Sequence, residues 1–351
     1  MKRSICVICV LLLFALVAHA QEQQFANIGD LKLQNGGAIR NCRIGYRTFG
    51  TLNRDKSNVV VFPTWAGGTT EQLKGSIGPG KLVDSTSHFV VAIDALSNGV
   101  SSSPSNSRLQ PRMRFPIFSL RDTVESQHEL LTKVLKINHV KAVVGISMGG
   151  MQAFQWIVSY PAFMDKAVPI VGSPRLAPYD LMLWAAQIEA LKRDRDWRGG
   201  NYVTNPARAL DFAFGELLLT TPTDYNRRKT REQVFADLEK ARTDAKRFDA
   251  NDKIRQVQAM MSLDVSRDFR VVKAKVLVVV AKFDHVVTPG PATEFAKLLG
   301  AKLIDLEGDC GHLATSCESR HLNEAVTQFL NTDDTDHLKP IHADTAATFE
   351  T

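Results

Sequence analysis

The sequence predicts an α/β protein: a mainly parallel central sheet with a helical cap inserted into it. Three observations carry this. Short runs rich in Val, Ile and Leu are apolar throughout instead of alternating with polar residues, as strands buried on both faces are. Helical patterns stand between several of these runs, the mark of right-handed βαβ units. One long charged stretch, 176–268, holds no convincing strand.

Residues 31–50 open as a hairpin: Leu31-Lys32-Leu33 leads into the turn signal Asn35-Gly36-Gly37, and the chain returns from Ile39 to Thr48. Buried parallel strands are predicted at 58–64, 89–95, 141–147, 166–173, 275–284 and 302–307. The stretch 121–135 carries Val124, Leu130, Leu131, Val134 and Leu135 at helical spacing. Further helices are predicted at 151–159, 291–299 and 319–330. Inside 176–268 the helical patterns fall at 180–193, 206–219 and 231–246. The expected organisation is a core formed by 21–175 and 269–331, a cap of 176–268 over the C-terminal strand edges, and a flexible tail of 332–351. That edge is where open α/β sheets bind ligands.

Residues 1–20 have the pattern of a secretory signal peptide. Lys2 and Arg3 precede an apolar run over 5–17, and Ala18-His19-Ala20 is a small-x-small cleavage site. An uncleaved anchor is the alternative, but the run is shorter than the about 20 apolar residues that a span needs. The chain is therefore expected in the periplasm or outside the cell, with no stable membrane insertion after cleavage. Removing Lys2 and Arg3 lowers the formal charge from +6 to +4. Basic residues sit in mixed-sign runs such as Lys192-Arg193-Asp194-Arg195-Asp196, which excludes a nucleic-acid patch. Cys6 and Cys9 leave with the signal. Among Cys42, Cys310 and Cys317 at least one stays free or pairs between chains. A Cys310–Cys317 disulfide and buried free thiols are both open, and neither number nor spacing suggests a zinc site.

The most specific local motif is Gly145-Ile146-Ser147-Met148-Gly149, followed by Gly150, between a strand pattern and a helix pattern. This is the G-x-S-x-G nucleophile elbow of the α/β-hydrolase fold. Its sharp turn lifts the serine hydroxyl clear of the sheet and sets the Met148 N–H beside the reacting carbonyl. A serine hydroxyl needs a histidine base, and the histidine needs an orienting carboxylate, here in the chain order Ser, acid, His. Asp284 follows a buried strand, and His312 lies in the loop Gly308-Asp309-Cys310-Gly311-His312 after the next one. Ser147, Asp284 and His312 are the expected triad. Asp309 is a rival acid, badly placed because it shares the loop of His312, and His285 is a rival base. The second oxyanion donor is expected in the loop Phe62-Pro63-Thr64-Trp65-Ala66-Gly67-Gly68, at the Trp65 N–H, with Thr64 or Ala66 as alternatives.

These residues resemble the homoserine O-acetyltransferases of the α/β-hydrolase superfamily over nearly the whole mature chain. The resemblance lies in Gly78-Pro79-Gly80-Lys81, in Arg121-Asp122, in Ser147-Met148-Gly149-Gly150-Met151-Gln152 and in Asp196-Trp197-Arg198-Gly199-Gly200-Asn201-Tyr202. It implies the same triad, a helical cap and a homodimer formed through that cap. Two positions depart from the transferases. Where they typically carry Gln-Arg, with the arginine binding the homoserine carboxylate, this chain has Gln187-Ile188. Where they carry Gly-His-Asp, with the aspartate binding the amine, it has Gly311-His312-Leu313. Ile188 and Leu313 cannot pair with a zwitterion, and a site that loses both charged contacts loses that discrimination. A secreted protein would also rarely meet acetyl-CoA.

The expected function is thus hydrolysis of an ester or similar small-molecule acyl substrate through an acyl-enzyme, with no cofactor and no metal. An O-acyltransferase using acyl-CoA is the first alternative. A non-catalytic binding protein of the same fold is the second, and it predicts a broken triad.

Overall fold

A computed structural model describes residues 21–218, 220 and 229–332. The expected signal peptide, 1–20, and the expected tail beyond Thr332 lie outside the described residues.

Eight strands form the main sheet. They are β1 (Gln24–Asn27), β4 (Arg43–Phe49), β5 (Val59–Pro63), β6 (Phe89–Ile93), β7 (Val140–Ile146), β8 (Met164–Ile170), β9 (Lys275–Ala281) and β10 (Lys302–Leu306). Their order is β1-β4-β6-β5-β7-β8-β9-β10. β1 pairs with β4 and β4 with β6 antiparallel; every later pairing is parallel. The central strands are apolar along most of their length because both faces are covered. Val61, Val143 and Val278 face one side, packed with Phe154, Trp156 and Phe295. Their neighbours Val60, Val144 and Val279 face the other, packed with Leu322, Val326 and Phe329. Successive residues of a strand point to opposite faces, and each fully buried valine contributes about 1.5–3 kcal/mol.

The opening hairpin needs a correction. Its turn is where it was expected, but the returning run is two strands. β2 (Leu31–Lys32) pairs with β3 (Ala38–Ile39) as a separate ribbon. The chain then turns at Asn41, whose φ is 46°. Asp30 fixes that turn by accepting from Arg40 Nη1 at 2.5 Å and from Asn41 N–H at 2.9 Å. Only after it does β4 enter the main sheet.

The helices between the strands are α1 (Leu120–Glu129), α2 (Met148–Ser159), α7 (Gly290–Leu299) and α8 (Ser319–Asn331). α1 begins at a capping box: Ser119 Oγ accepts from Asp122 N–H at 3.1 Å, and Asp122 Oδ2 accepts from Ser119 N–H at 2.7 Å. It ends in a π-helical turn, Leu130–Val134, within the stretch that reads as one continuous helix.

Between β8 and β9 come α3 (Pro178–Arg193), α4 (Ala207–Leu218), α5 (Arg231–Ala245) and α6 (Ala250–Met261). Apart from an isolated bridge between Arg175 and Asp264, the described part of this insert forms no β-structure. α6 escaped sequence reading because it buries polar residues beside apolar ones: Asn251, Asp252, Arg255 and Gln256 are buried along with Ile254, Val257 and Met260. The buried polar side chains are hydrogen-bonded. Arg255 donates to Phe115 O at 3.0 Å and Met113 O at 2.9 Å. Asp252 accepts from Ser105 N–H at 2.9 Å and Ser105 Oγ at 2.5 Å. The insert therefore sits on loops that follow the parallel strands. Among the described residues no helix is long and apolar enough to cross a membrane.

Candidate active site

β7 runs into α2 through Ser147, which has φ 57° and ψ −121°. That conformation costs on the order of 1–3 kcal/mol and persists only where packing over-determines it. The packing is explicit. A Cβ added to Gly145 would lie 2.1 Å from Gly149 O, and one added to Gly149 would lie 2.7 Å from Pro63 O. Only a hydrogen fits at either place. Ser147 N–H donates to Ile170 O at 2.8 Å, which locks the elbow to β8.

The structure brings the three expected side chains together. His312 Nε2 lies 2.9 Å from Ser147 Oγ, and His312 Nδ1 lies 2.7 Å from Asp284 Oδ2. Asp284 is buried at 2% exposure, and its other oxygen accepts from Val286 N–H at 2.8 Å and Val287 N–H at 3.0 Å. The carboxylate that His312 meets is thus Asp284, not Asp309. His285 turns to the ring of Tyr179, centroid to centroid 6.3 Å.

A second carboxylate stands behind the first and was not anticipated. Asp180, in the first turn of α3, is fully buried. It accepts from Thr288 N–H and Thr288 Oγ1, each at 3.2 Å. Burial, above all, and then the neighbouring Asp284 charge raise its pKa. Burial is also the largest influence on His312, and it lowers the imidazole pKa. The charge and hydrogen bond of Asp284, with the charge of Asp180, outweigh it, so His312 sits above its ordinary 6.5. Only the capping position of Asp180, two residues after Pro178, could have flagged it in the sequence.

The loop after β5 narrows the choice of oxyanion donor. Thr64 N–H already donates to Ile93 O at 3.1 Å, Gly67 N–H to Gln256 Oε1 at 2.5 Å and Gly68 N–H to Trp65 O at 3.0 Å. Among the described residues, the Trp65 and Ala66 amides have no protein acceptor, which removes Thr64 from the candidates. Met148 is buried at the start of α2. Of the two positions expected in the substrate pocket, Leu313 is 59% exposed beside His312, whereas Ile188 is 6% exposed and packed in the core.

The loop that carries His312 is stapled. Cys310 and Cys317 form a disulfide across it, and Gly308 N–H donates to Glu318 Oε1 at 3.0 Å. Among the described residues Cys42 is the remaining thiol, buried, with its pKa pushed up to about 12 chiefly by that burial. Closing so short a loop removes about 2–3 kcal/mol of unfolded-state freedom. Cys317→Ser is therefore expected to lower stability by about that amount, read as a drop in melting temperature that reductant reproduces in the wild type.

A serine held proud of a mostly parallel sheet, with histidine and aspartate from the loops after the last two strands, defines a serine-hydrolase-like α/β protein. Residues 58–315 match the family described as alpha/beta hydrolase fold, and the chain belongs to that family of enzymes. It is 34% identical to the ethyl acetate hydrolase of Pseudomonas veronii over 190 residues, 53% of this chain and 54% of that one. It is 28% identical to the homoserine O-acetyltransferase of Methanosalsum zhilinae over 86% of this chain and 71% of that one. The chain spans about half the length of the curated esterase relatives that it matches. Its fold superposes on an acetylester hydrolase from Corynebacterium glutamicum with TM-score 0.82 and 27% identity, covering 89% of this chain and 96% of that one.

Proposed function

We propose that this chain hydrolyses small esters through an acyl-enzyme on Ser147. The observation that carries the reading is the unbroken Ser147–His312–Asp284 hydrogen-bond chain, at 2.9 and 2.7 Å. Ser147 Oγ attacks the acyl carbon while His312 Nε2 takes its proton, and Asp284 stabilises the imidazolium. The Met148 and Trp65 N–H groups hold the oxyanion. The carbon–oxygen bond to the alcohol then breaks, and His312 returns the proton to the leaving oxygen. Water repeats the cycle: it gives its proton to His312, the carboxylic acid leaves, and Ser147 regains its hydrogen.

Hydrolysis is favoured over transfer to homoserine because Ile188 and Leu313 offer no charge to a zwitterion, and because relatives named as esterases match the chain. The second reading, an O-acyltransferase, is favoured by the greater share of the chain that aligns with the homoserine O-acetyltransferase relatives. Export by the leader at 1–20 is part of the proposal, supported by a disulfide of the kind that persists in oxidising compartments. A panel of p-nitrophenyl esters from acetate to octanoate, assayed with and without acetyl-CoA and homoserine, tests the reading. Turnover in water alone that is lost in Ser147→Ala is expected; turnover only with acetyl-CoA and homoserine would overturn it.

The base must be neutral to accept the proton. Because His312 lies above its ordinary value, the acidic limb of kcat/KM is expected above pH 6.5. Asp180→Asn removes one of the charges that raise it, so the limb is expected to move to lower pH. An unmoved limb in a folded variant would mean that Asp180 does not act on the imidazole.

A further inference from the structure

Gln152 is fully buried on α2, one turn beyond Met148. Its Nε2 donates to two backbone carbonyls, Thr64 O and Met148 O, each at 3.0 Å. Its Oε1 accepts from Gln127 Nε2 at 2.5 Å, and Gln127 Oε1 accepts from Trp156 Nε1 at 2.9 Å. This relay has an indole that can only donate at one end and carbonyls that can only accept at the other. Only one orientation of the two side-chain amides satisfies every partner. Flipping either would set hydrogen against hydrogen and oxygen against oxygen. Gln127 and Trp156 are also fully buried, so a reversed group would have no water to turn to.

The relay ends on a peptide unit that matters. Thr64 C=O and Trp65 N–H belong to the same peptide group, and no peptide bond among the described residues is cis. In a trans peptide the two point in opposite directions. Holding the carbonyl toward Gln152 therefore holds the Trp65 N–H away from it. A peptide rotated the other way would offer the oxyanion an oxygen instead of a hydrogen, turning attraction into repulsion. The two donors of the hole come from separate segments, the loop after β5 and the start of α2, and the Gln152 side chain donates to one backbone carbonyl in each. Gly149 lets these segments approach closely, since a Cβ there would meet Pro63 O at 2.7 Å.

We infer that Gln152 is a positioning residue, which fixes the polarity of the Thr64–Trp65 peptide and so aims the second oxyanion donor, with Gln127 and Trp156 fixing Gln152 in turn. The inference rests on the ester-hydrolysis reading above. A side chain of this kind acts on the transition state more than on the bound ester.

The test is kinetic. Gln152→Met keeps the shape and removes the hydrogen bonds. Removing one oxyanion donor outright costs about 10²–10³ in kcat, so losing its alignment is expected to cost about 10–100-fold. KM should stay within about threefold, because ground-state contacts are unchanged. Affinity for a phenylboronic acid, which forms a tetrahedral adduct on the serine, should fall by the same factor as kcat/KM. Gln127→Met, which touches neither serine nor peptide, is expected to lower kcat about fivefold with the same split and serves where Gln152→Met does not fold. A folded variant of either kind with wild-type kcat, or with boronic acid affinity unmoved, overturns the inference. Wild-type turnover that survives Ser147→Ala overturns the hydrolase reading instead, so the two failures are distinct.

Discussion

Asp284→Asn is expected to leave a folded protein whose kcat is lower by about 10⁴-fold. The size of the effect follows from hydrogen-bond polarity. Asp284 Oδ1 accepts from the amides of Val286 and Val287, which can only donate. An asparagine must keep its single oxygen there, which turns its NH₂ toward His312 Nδ1. The imidazole then accepts at Nδ1 and carries its proton on Nε2, the atom 2.9 Å from Ser147 Oγ. A ring in that tautomer cannot take the serine proton. Packing is nearly unchanged, so the melting temperature should move by only a few degrees. Initial rates on p-nitrophenyl acetate beside a thermal melt check both halves, and a folded variant within about tenfold of wild-type kcat would show that Asp284 does not set the tautomer.

Gly145→Ala is expected to produce the second large effect, this time on folding. The added carbon would sit 2.1 Å from Gly149 O and 2.8 Å from Gly150 N, and both obstacles are backbone. Flexible side chains can swing aside; the first turn of α2 cannot move without dragging Ser147 from its strained conformation. Overpacking typically costs about 1–3 kcal/mol, and a backbone obstacle places this substitution at the upper end. At about 2–4 °C per kcal/mol for a chain of this size class, the melting temperature should fall by about 6–12 °C, with activity largely lost in the fraction that still folds. A variant that melts and turns over like the wild type would mean that the elbow is looser than its geometry.

The main sheet was legible because its strands are buried on both faces. Val59–Pro63 and Lys275–Ala281 have no polar alternation to confuse with a surface strand. The site was legible because the chemistry fixes the residue types and the fold fixes their order: a serine between glycines that backbone contacts require, then an acid and a base after successive strands. What escaped reading obeys a different physics. β1 is four residues long at the sheet edge, too short to show a pattern. The break at Asn41 depends on Asp30, a contact that no local propensity encodes. α6 buries Asp252, Arg255 and Gln256 beside Ile254, Val257 and Met260, and the polar partners lie far away in the chain, so its charged residues read as a solvated surface. Asp180 and the Gln127–Gln152 relay belong to the same class. Their meaning lies in who faces them, and only coordinates supply that.

The central claim is that Ser147 Oγ, deprotonated by His312, is the nucleophile. Treating the purified protein with a fluorophosphonate and mapping the adduct by peptide mass spectrometry tests it most directly. One phosphonyl group on Ser147, appearing in step with loss of esterase activity and greatly slowed in His312→Ala, is the predicted result. Ester turnover that continues in Ser147→Ala, or an inactivated enzyme whose Ser147 peptide carries no adduct, would contradict the account.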